Sequence, residues 1–281
     1  MTRPQRRETY PSMSVLVVAS EKDHAGLNIA SCLARDYGFD KAIEHSDPSI
    51  LRRDDILLIR TKEETIHLDS VERFAGASSV IFASRHTSEK GGPCLTVHCP
   101  GNVLNEAPYG GRPRSLALVE PNRMRAALLS LSEAREELGL SYLVSLEATH
   151  HGPTELPVPC MFVEIGSSAK QWEDPMAGKA VARAIWKAAT SPTKAASAVG
   201  FGGGHYSWKH TDAVVKGDFA FGHILSKYFF DSYDAALVEL AFRRTVGGCS
   251  RAVIDKKGVR GSERAGLVEY LKRSGREVVM I

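Results

Sequence analysis

The heptapeptide Ser14-Val-Leu-Val-Val-Ala-Ser20 is apolar at every interior position, and it restricts the fold more than any other stretch of the chain. A strand with one wet face alternates apolar and polar residues, whereas an unbroken apolar run belongs to a strand covered on both faces. A polar turn follows, and then Leu27, Ile29, Ala30, Leu33 and Ala34 recur at helical spacing until Gly38 ends the pattern. Residues 55–60 and 79–84 are further runs of the same kind, with a short helix expected over 69–75. Buried strands separated by helices predict an α/β chain: three layers, a mostly parallel mixed sheet and helices on both faces.

Beyond residue 84 the pattern loosens. Residues 85–94 and 100–114, rich in Gly, Pro and polar residues, read as long loops, with a short strand at 95–98 between them. Pro121 opens a helix carrying Met124, Ala127, Leu128, Leu131 and Ala134, and Gly139 stops it. Strands are expected at 141–146, 160–165, 198–201, 251–254 and 277–281, and helices at 175–189, 234–245 and 262–272. The 281 residues suit one large domain over 14–281, preceded by a flexible basic tail at 1–13 that carries Arg3, Arg6 and Arg7. That tail lacks an apolar h-region, and no apolar run approaches the roughly 20 residues of a membrane span, so no membrane partner and a cytoplasmic location are expected. Five scattered cysteines fit a reducing compartment, and Cys94 and Cys99, which flank His98, read as reduced thiols. The net charge of +3 does not by itself demand a nucleic-acid partner, and DNA is not expected.

Chemistry concentrates between Glu147 and His210. In open α/β sheets ligands bind outside the carboxyl ends of the strands. His86, the pair His150 and His151, Ser167 and His205 each stand after or near the end of an expected strand, so they should converge on one cleft with His98. Adjacent histidines in extended chain point apart, so one of His150 and His151 faces the site and the other holds the loop. His151 and Glu155 suit either a nitrogen and an oxygen ligand for zinc or a base with its orienting carboxylate. Glu164, between apolar neighbours in a strand, needs a cation, metal or proton, or else lies on an exposed face. Gly202-Gly203-Gly204 before His205 and Tyr206 is either a turn or an oxyanion wall built from backbone N–H groups. Lys170, Lys179, Lys209 and Lys216 suit phosphate contacts or a solvated surface, and Trp172 and Trp208 suit base stacking or wall packing. His223 reads as structural, and His24, His45 and His67 as surface positions.

Taken together, Ser84-Arg-His86, Thr96-Val-His98 with Gly101-Asn102, Glu147-Ala-Thr-His-His-Gly-Pro-Thr-Glu155, Val163-Glu-Ile-Gly-Ser167 and Gly202-Gly-Gly-His-Tyr206 closely resemble the D-aminoacyl-tRNA deacylases of the archaeal and plant type. The resemblance implies a fold similar to the phosphorylase and peptidyl-tRNA hydrolase group and a metal-dependent esterase, usually described with zinc, that frees tRNA from D-amino acids. The expected partner is then the acceptor end of aminoacylated tRNA, met by a monomer or small homo-oligomer. It leaves the ligands to be assigned by chemistry. The expected metal set is His151, Glu164 and His205. His151, Glu155, His205, Gly203 and Gly204 are the expected catalytic group, and His86, His98, His150, Ser167, Tyr206, Lys170 and Lys209 the expected substrate contacts. Two other readings fit the same residues: a zinc peptidase or amidohydrolase of a small amide or ester, and a non-catalytic tRNA-binding module.

Overall fold

The computed structural model describes residues 14–41, 50–69, 76–88 and 91–281. The basic tail at 1–13, His45, most of the helix expected over 69–75 and residues 89–90 of the first long loop lie outside the described residues. In chain order the strands are β1 (Ser14–Ser20), β2 (Asp40–Lys41), β3 (Ile50–Arg53), β4 (Ile56–Thr61), β5 (Ala77–Thr87), β6 (Cys94–His98), β7 (Gly101–Asn102), β8 (Ser115–Leu116), β9 (Leu143–Leu146), β10 (Cys160–Ser167), β11 (Ala196–Phe201), β12 (Phe219–Leu225), β13 (Arg251–Ile254) and β14 (Glu277–Met280). The helices are α1 (His24–Tyr37), α2 (Pro121–Glu137), α3 (Ala169–Trp172), α4 (Pro175–Thr190), α5 (Trp208–Lys216), α6 (Ala235–Arg243) and α7 (Gly261–Arg273).

The helix ends follow the residues that mark them. Asp23 caps α1 by accepting the Gly26 N–H at 2.9 Å, and Gly38 closes it in the left-handed region at φ +65°. Asp174 caps α4 ahead of Pro175, and Asp234 caps α6. Asp23 also joins the sheet, because its other oxygen accepts from Ser84 Oγ at 3.1 Å and from the Arg85 N–H at 2.8 Å. A cap residue thereby fixes the chain where it approaches His86.

The strands form two principal sheets. The larger has the order β2-β3-β4-β1-β5-β10-β6-β9, with β1, β4, β5 and β10 parallel and β6 entering antiparallel to β10. The smaller, β12-β11-β13-β14, is parallel throughout. One face of the large sheet packs on α1, α2 and α4 through Val17, Ala19, Ile81, Val163 and Ile165. Its other face buries Leu16, Val18, Phe82 and Phe162 beneath Leu68, Ala117 and Leu156 of the connecting segments. The small sheet is covered on one side by α6 and α7, which bury Val199, Phe201 and Ile254, and turns Phe221 and Ile224 into the main core beside α2. The α/β class and the mixed, mostly parallel sheet agree with expectation. Periodicity could not show that the strands divide between two sheets, because a strand buried on both faces reads the same in either.

Strand β5 also runs on through Thr87, so Arg85 and His86 belong to it and the first long loop begins later than composition suggested. Gly166 on β10 pairs with His86, and a Cβ there would stand 2.8 Å from the His86 ring. A glycine in the neighbouring strand thus makes room for the imidazole.

Candidate active site

The centre of the polar cluster is Glu147, which follows β9 and is withdrawn from solvent. Its Oε1 lies 3.0 Å from His86 Nδ1, and its Oε2 lies 3.4, 3.5 and 3.3 Å from His98 Nδ1, His150 Nε2 and His205 Nε2. Close as they are, these contacts lack hydrogen-bond alignment. Both Glu147 oxygens and His98 Nδ1 are buried without a hydrogen-bond partner. Glu164 adds a second buried carboxylate, 3.7 Å from His86 Nδ1 and 3.9 Å from His98 Nδ1.

Each element delivers one part of this cluster. β5 brings His86, β6 brings His98, β10 brings Glu164, and the segment after β9 brings Glu147, His150 and His151. The segment after β11 brings His205 and Tyr206 from the small sheet and is sewn to β9: Ala148 N–H donates to the His205 carbonyl at 2.8 Å, and Ser207 N–H to Leu146 at 2.9 Å. His98 stacks on Phe162 with centroids 5.1 Å apart, which fixes its ring plane.

Hydrogen bonds to the backbone set the tautomers. His150 Nδ1 lies 2.8 Å from the Ala148 carbonyl and His151 Nδ1 lies 2.6 Å from the Gly152 carbonyl. A carbonyl only accepts, so both Nδ1 atoms donate and both Nε2 atoms are bare when the rings are neutral. His151 Nε2 faces His98 Nε2 at 3.2 Å, and His150 Nε2 faces the Glu147 carboxylate. A neutral His98 can donate from Nε2 to the His151 lone pair, whereas the bare His150 Nε2 faces carboxylate lone pairs, and a cation there would relieve that repulsion. The donor set of His98, His150 and His151, and the sets that combine Glu147 with His86 and His205 or with His98 and Glu164, have the nitrogen and oxygen donors that suit a transition metal. These groups are able to hold a metal ion.

Protonation follows from burial and neighbours. Burial lowers His98 well below the usual range, helped by His150 and His151, and lowers His150 to about 4 and His151 to about 3. All three are neutral at pH 7 and so competent to ligate. Burial opposes charge on His86 as well, but Glu147 and Glu164 outweigh it and hold its pKa at about 12. Burial pushes Glu147 upward, yet the surrounding histidines hold it well below the carboxylate range. At Glu164 burial is the larger effect, and with the nearby Glu147 it outweighs the lowering by His86 and raises the pKa to about 7.

A cleft of about 470 Å³ opens on the cluster, lined by His86, His150, His151, Glu164 and His205, with Lys22, Glu64, Ile66, Arg85 and Tyr109 among its other walls. Tyr206 reaches it indirectly, its hydroxyl 2.8 Å from His86 Nε2.

Other expected residues stand apart. Glu155 does not pair with His151: its carboxylate contacts Thr154 Oγ1 at 3.3 Å and Arg112 at 3.4 Å. His151 has a positive φ of +43°, and the turn at Gly152-Pro153 carries Glu155 away from its ring. The trio His151, Glu164 and His205 is not brought together as one donor set; each falls in a different group around His98 or Glu147. Gly203 N–H donates to the Gly258 carbonyl at 3.3 Å, so it is not free for an oxyanion, and neither Gly203 nor Gly204 lines the cleft. Ser167 Oγ donates to the Gly92 carbonyl at 2.9 Å and lies outside the cleft lining. Lys170 and Lys209 are exposed on α3 and α5 and do not line the cleft. Trp172 is held in place, its Nε1 donating to the His86 carbonyl at 3.1 Å. His223 and His210 are buried on backbone carbonyls, Ala117 and Val253.

The residue that composition and spacing passed over is Glu147. A carboxylate placed directly after an apolar strand and three positions before a histidine pair was the available signal. Arg85 stands beside His86 in the quoted motif Ser84-Arg-His86, whereas Tyr109 had no signal, because only the folded loop brings it to the cleft.

The family model for D-aminoacyl-tRNA deacylase matches residues 74–279. A D-aminoacyl-tRNA deacylase of Methanosarcina acetivorans is 36% identical over 285 residues, covering 97% of this chain and 94% of that one. Its counterpart in Pyrococcus furiosus is 34% identical over 271 residues, covering 94% and 98%. A crystal structure of a conserved protein of unknown function superposes with a TM-score of 0.87 at 31% identity, over 96% of each chain.

Proposed function

This chain belongs to the D-aminoacyl-tRNA deacylase family, and on that premise we propose that it hydrolyses the ester between a D-amino acid and the terminal ribose of tRNA, releasing free D-amino acid and tRNA. Its place of action is then the cytoplasm, and it works as a monomer or small homo-oligomer on the acceptor end. The observation that carries the reading is the ring of four imidazoles around one buried, unpartnered carboxylate, Glu147, at the floor of a substrate-sized cleft. A tRNA-binding module that does no chemistry has no use for such a costly arrangement.

Zinc is the proposed ion, with His98, His150 and His151 as the residues that would hold it. The fit rests on the donor atoms of the three rings lying within 4.8 Å of one another and on the backbone carbonyls that orient two of the rings. Bound there, zinc supplies a water of pKa about 7 and polarises the ester carbonyl.

The chain's own groups do the rest. Glu147 holds the imidazoles in register and keeps His86 charged. Glu164 lines the cleft with a pKa of about 7, so at neutral pH it exists both as carboxylate and as acid. It takes a proton from the attacking water and returns one to the departing ribose oxygen. His205, 42% exposed and lining the cleft, positions the acyl group.

Matched D- and L-tyrosyl-tRNA, incubated with and without chelator, test this. The expected result is release of D-tyrosine, sparing of the L-ester, loss of activity on chelation and recovery with zinc. Equal turnover of the two esters would remove the chiral assignment, and full activity in metal-free protein would remove zinc.

A further inference from the structure

Among the described residues Tyr109 is the most exposed large hydrophobic, at 66%, yet it lines the cleft and sits on one of the most firmly tied loops of the molecule. Its carbonyl accepts the Gly152 N–H at 3.0 Å, directly beyond the histidine pair. Asn102 Nδ2 donates to the Gly110 carbonyl at 2.8 Å, and the Arg112 N–H donates to Thr154 Oγ1 at 2.9 Å. Gly101 N–H in turn bonds the His151 carbonyl at 2.7 Å. A Cβ on Gly110 would overlap the Ile66 carbonyl, and one on Gly152 would overlap the backbone of Gly110 and Gly111, so three segments meet with no room to spare. The loop backbone therefore fixes the point from which the Tyr109 side chain leaves at the rim of the cleft that the histidines line. No ring contact or hydrogen bond of the described residues uses that ring. An anchored backbone with an unpacked ring suits a platform for a ligand, because the ring face is open and only its own two side-chain torsions must settle when something stacks on it.

We infer that Tyr109, with Ile66 beside it, is the surface on which the terminal adenine of the tRNA stacks, so that it positions the ester over the His/Glu floor. The inference rests on the reading of the substrate as an aminoacyl-tRNA. It follows from connectivity: the ester carbonyl must lie at the floor with His150, His151 and Glu164, and the adenosine is the part of the substrate that leads from the ester out to the rim. Every base has a π-face, and an exposed tyrosine takes a purine without needing a matched set of polar partners. The exposed Trp208, which the sequence also offers, does not line the cleft.

The experiment compares wild type, Tyr109→Phe and Tyr109→Ala, in metal-replete full-length protein, for kinetics on D-tyrosyl-tRNA and for direct binding of the trinucleotide CCA. With the ring exposed, neither substitution removes core packing. Tyr109→Ala should raise KM and weaken CCA binding about tenfold to a hundredfold, the range set by loss of one base-aromatic stack, with kcat within about twofold of wild type. Tyr109→Phe should stay near wild type in both. Unchanged KM and CCA affinity in Tyr109→Ala would overturn the inference, as would a fall in kcat with CCA affinity intact, which would place the ring against the amino acid. Failure of wild type to bind CCA would also overturn it. Wild type that binds CCA through Tyr109 but leaves D-tyrosyl-tRNA intact would instead defeat the proposed activity.

Discussion

His98, at the end of β6 and opposite Phe162 of β10 in the large sheet, and His210, beneath the small one, are equally hidden, both at 0% exposure. Burial lowers both pKa values, His98 well below the usual range and His210 to about 4. What separates them is the partner. His210 Nε2 donates to the Val253 carbonyl at 3.2 Å and its ring meets Phe221 edge-on at 4.9 Å, so its N–H is used, and its Nδ1, though buried without a hydrogen-bond partner, meets no carboxylate or second imidazole among the described residues. His98 directs one nitrogen at two carboxylates and the other at a bare imidazole nitrogen. Burial alone therefore says nothing about chemistry. A buried imidazole whose N–H is spent on backbone is part of the wall, and one set among carboxylates and other imidazoles could hold a cation.

The contrast breaks first if Glu164→Gln is harmless. That substitution keeps the shape and removes the proton carrier, and kcat on D-tyrosyl-tRNA should fall about 10²- to 10⁴-fold with little change in KM. Glu147→Gln should weaken zinc binding, followed by titration against a competing chelator, by about 10- to 100-fold, because it loosens the rings it now aligns. His210→Ala should do the reverse of both. It should cost about 2–4 kcal/mol in denaturant unfolding, by analogy with other large-to-small core changes, while kcat per folded molecule stays at the wild-type level.

The same comparison has a pH signature. His210 and His223 have folded pKa values of about 4, below the ordinary 6.5, so the unfolded chain binds more protons between those values. Stability from this source is complete above about pH 6.5 and falls on acidification by up to about 1.4 kcal/mol per pH unit per imidazole until about pH 4. Replacing His223 by Gln should flatten that slope in urea titrations. The smallest effect belongs to Glu155→Ala. It breaks a partly exposed pair with Arg112, worth about 0.2–1 kcal/mol, and activity should change less than about twofold.

How much of this could be read beforehand depended on whether the signal was local. Valine-rich runs, Asp-Pro and Asp caps and terminal glycines act within a few residues, so α1, α4 and most strands were legible. His86, His98, His150, His151, Glu164 and His205 were legible as a set because each lies at or near a strand end. Their grouping was not. Which donors face one another depends on β6 running antiparallel beside β10 and on the small sheet lending His205 to the large one. Glu155 misled for the opposite reason: it is near His151 in sequence, but a positive-φ residue and a Gly-Pro turn reverse the chain between them.

The seam between β9 and the segment carrying His205 and Tyr206 has a consequence for synthesis. His98, His150 and His151 emerge from the ribosome well before the strands that flank His205, and Thr149 N–H bonds the Ile224 carbonyl, still later in the chain. A nascent chain can thus own most of the donors and still lack a finished pocket. The cleft is complete only once the final third of the polypeptide has docked.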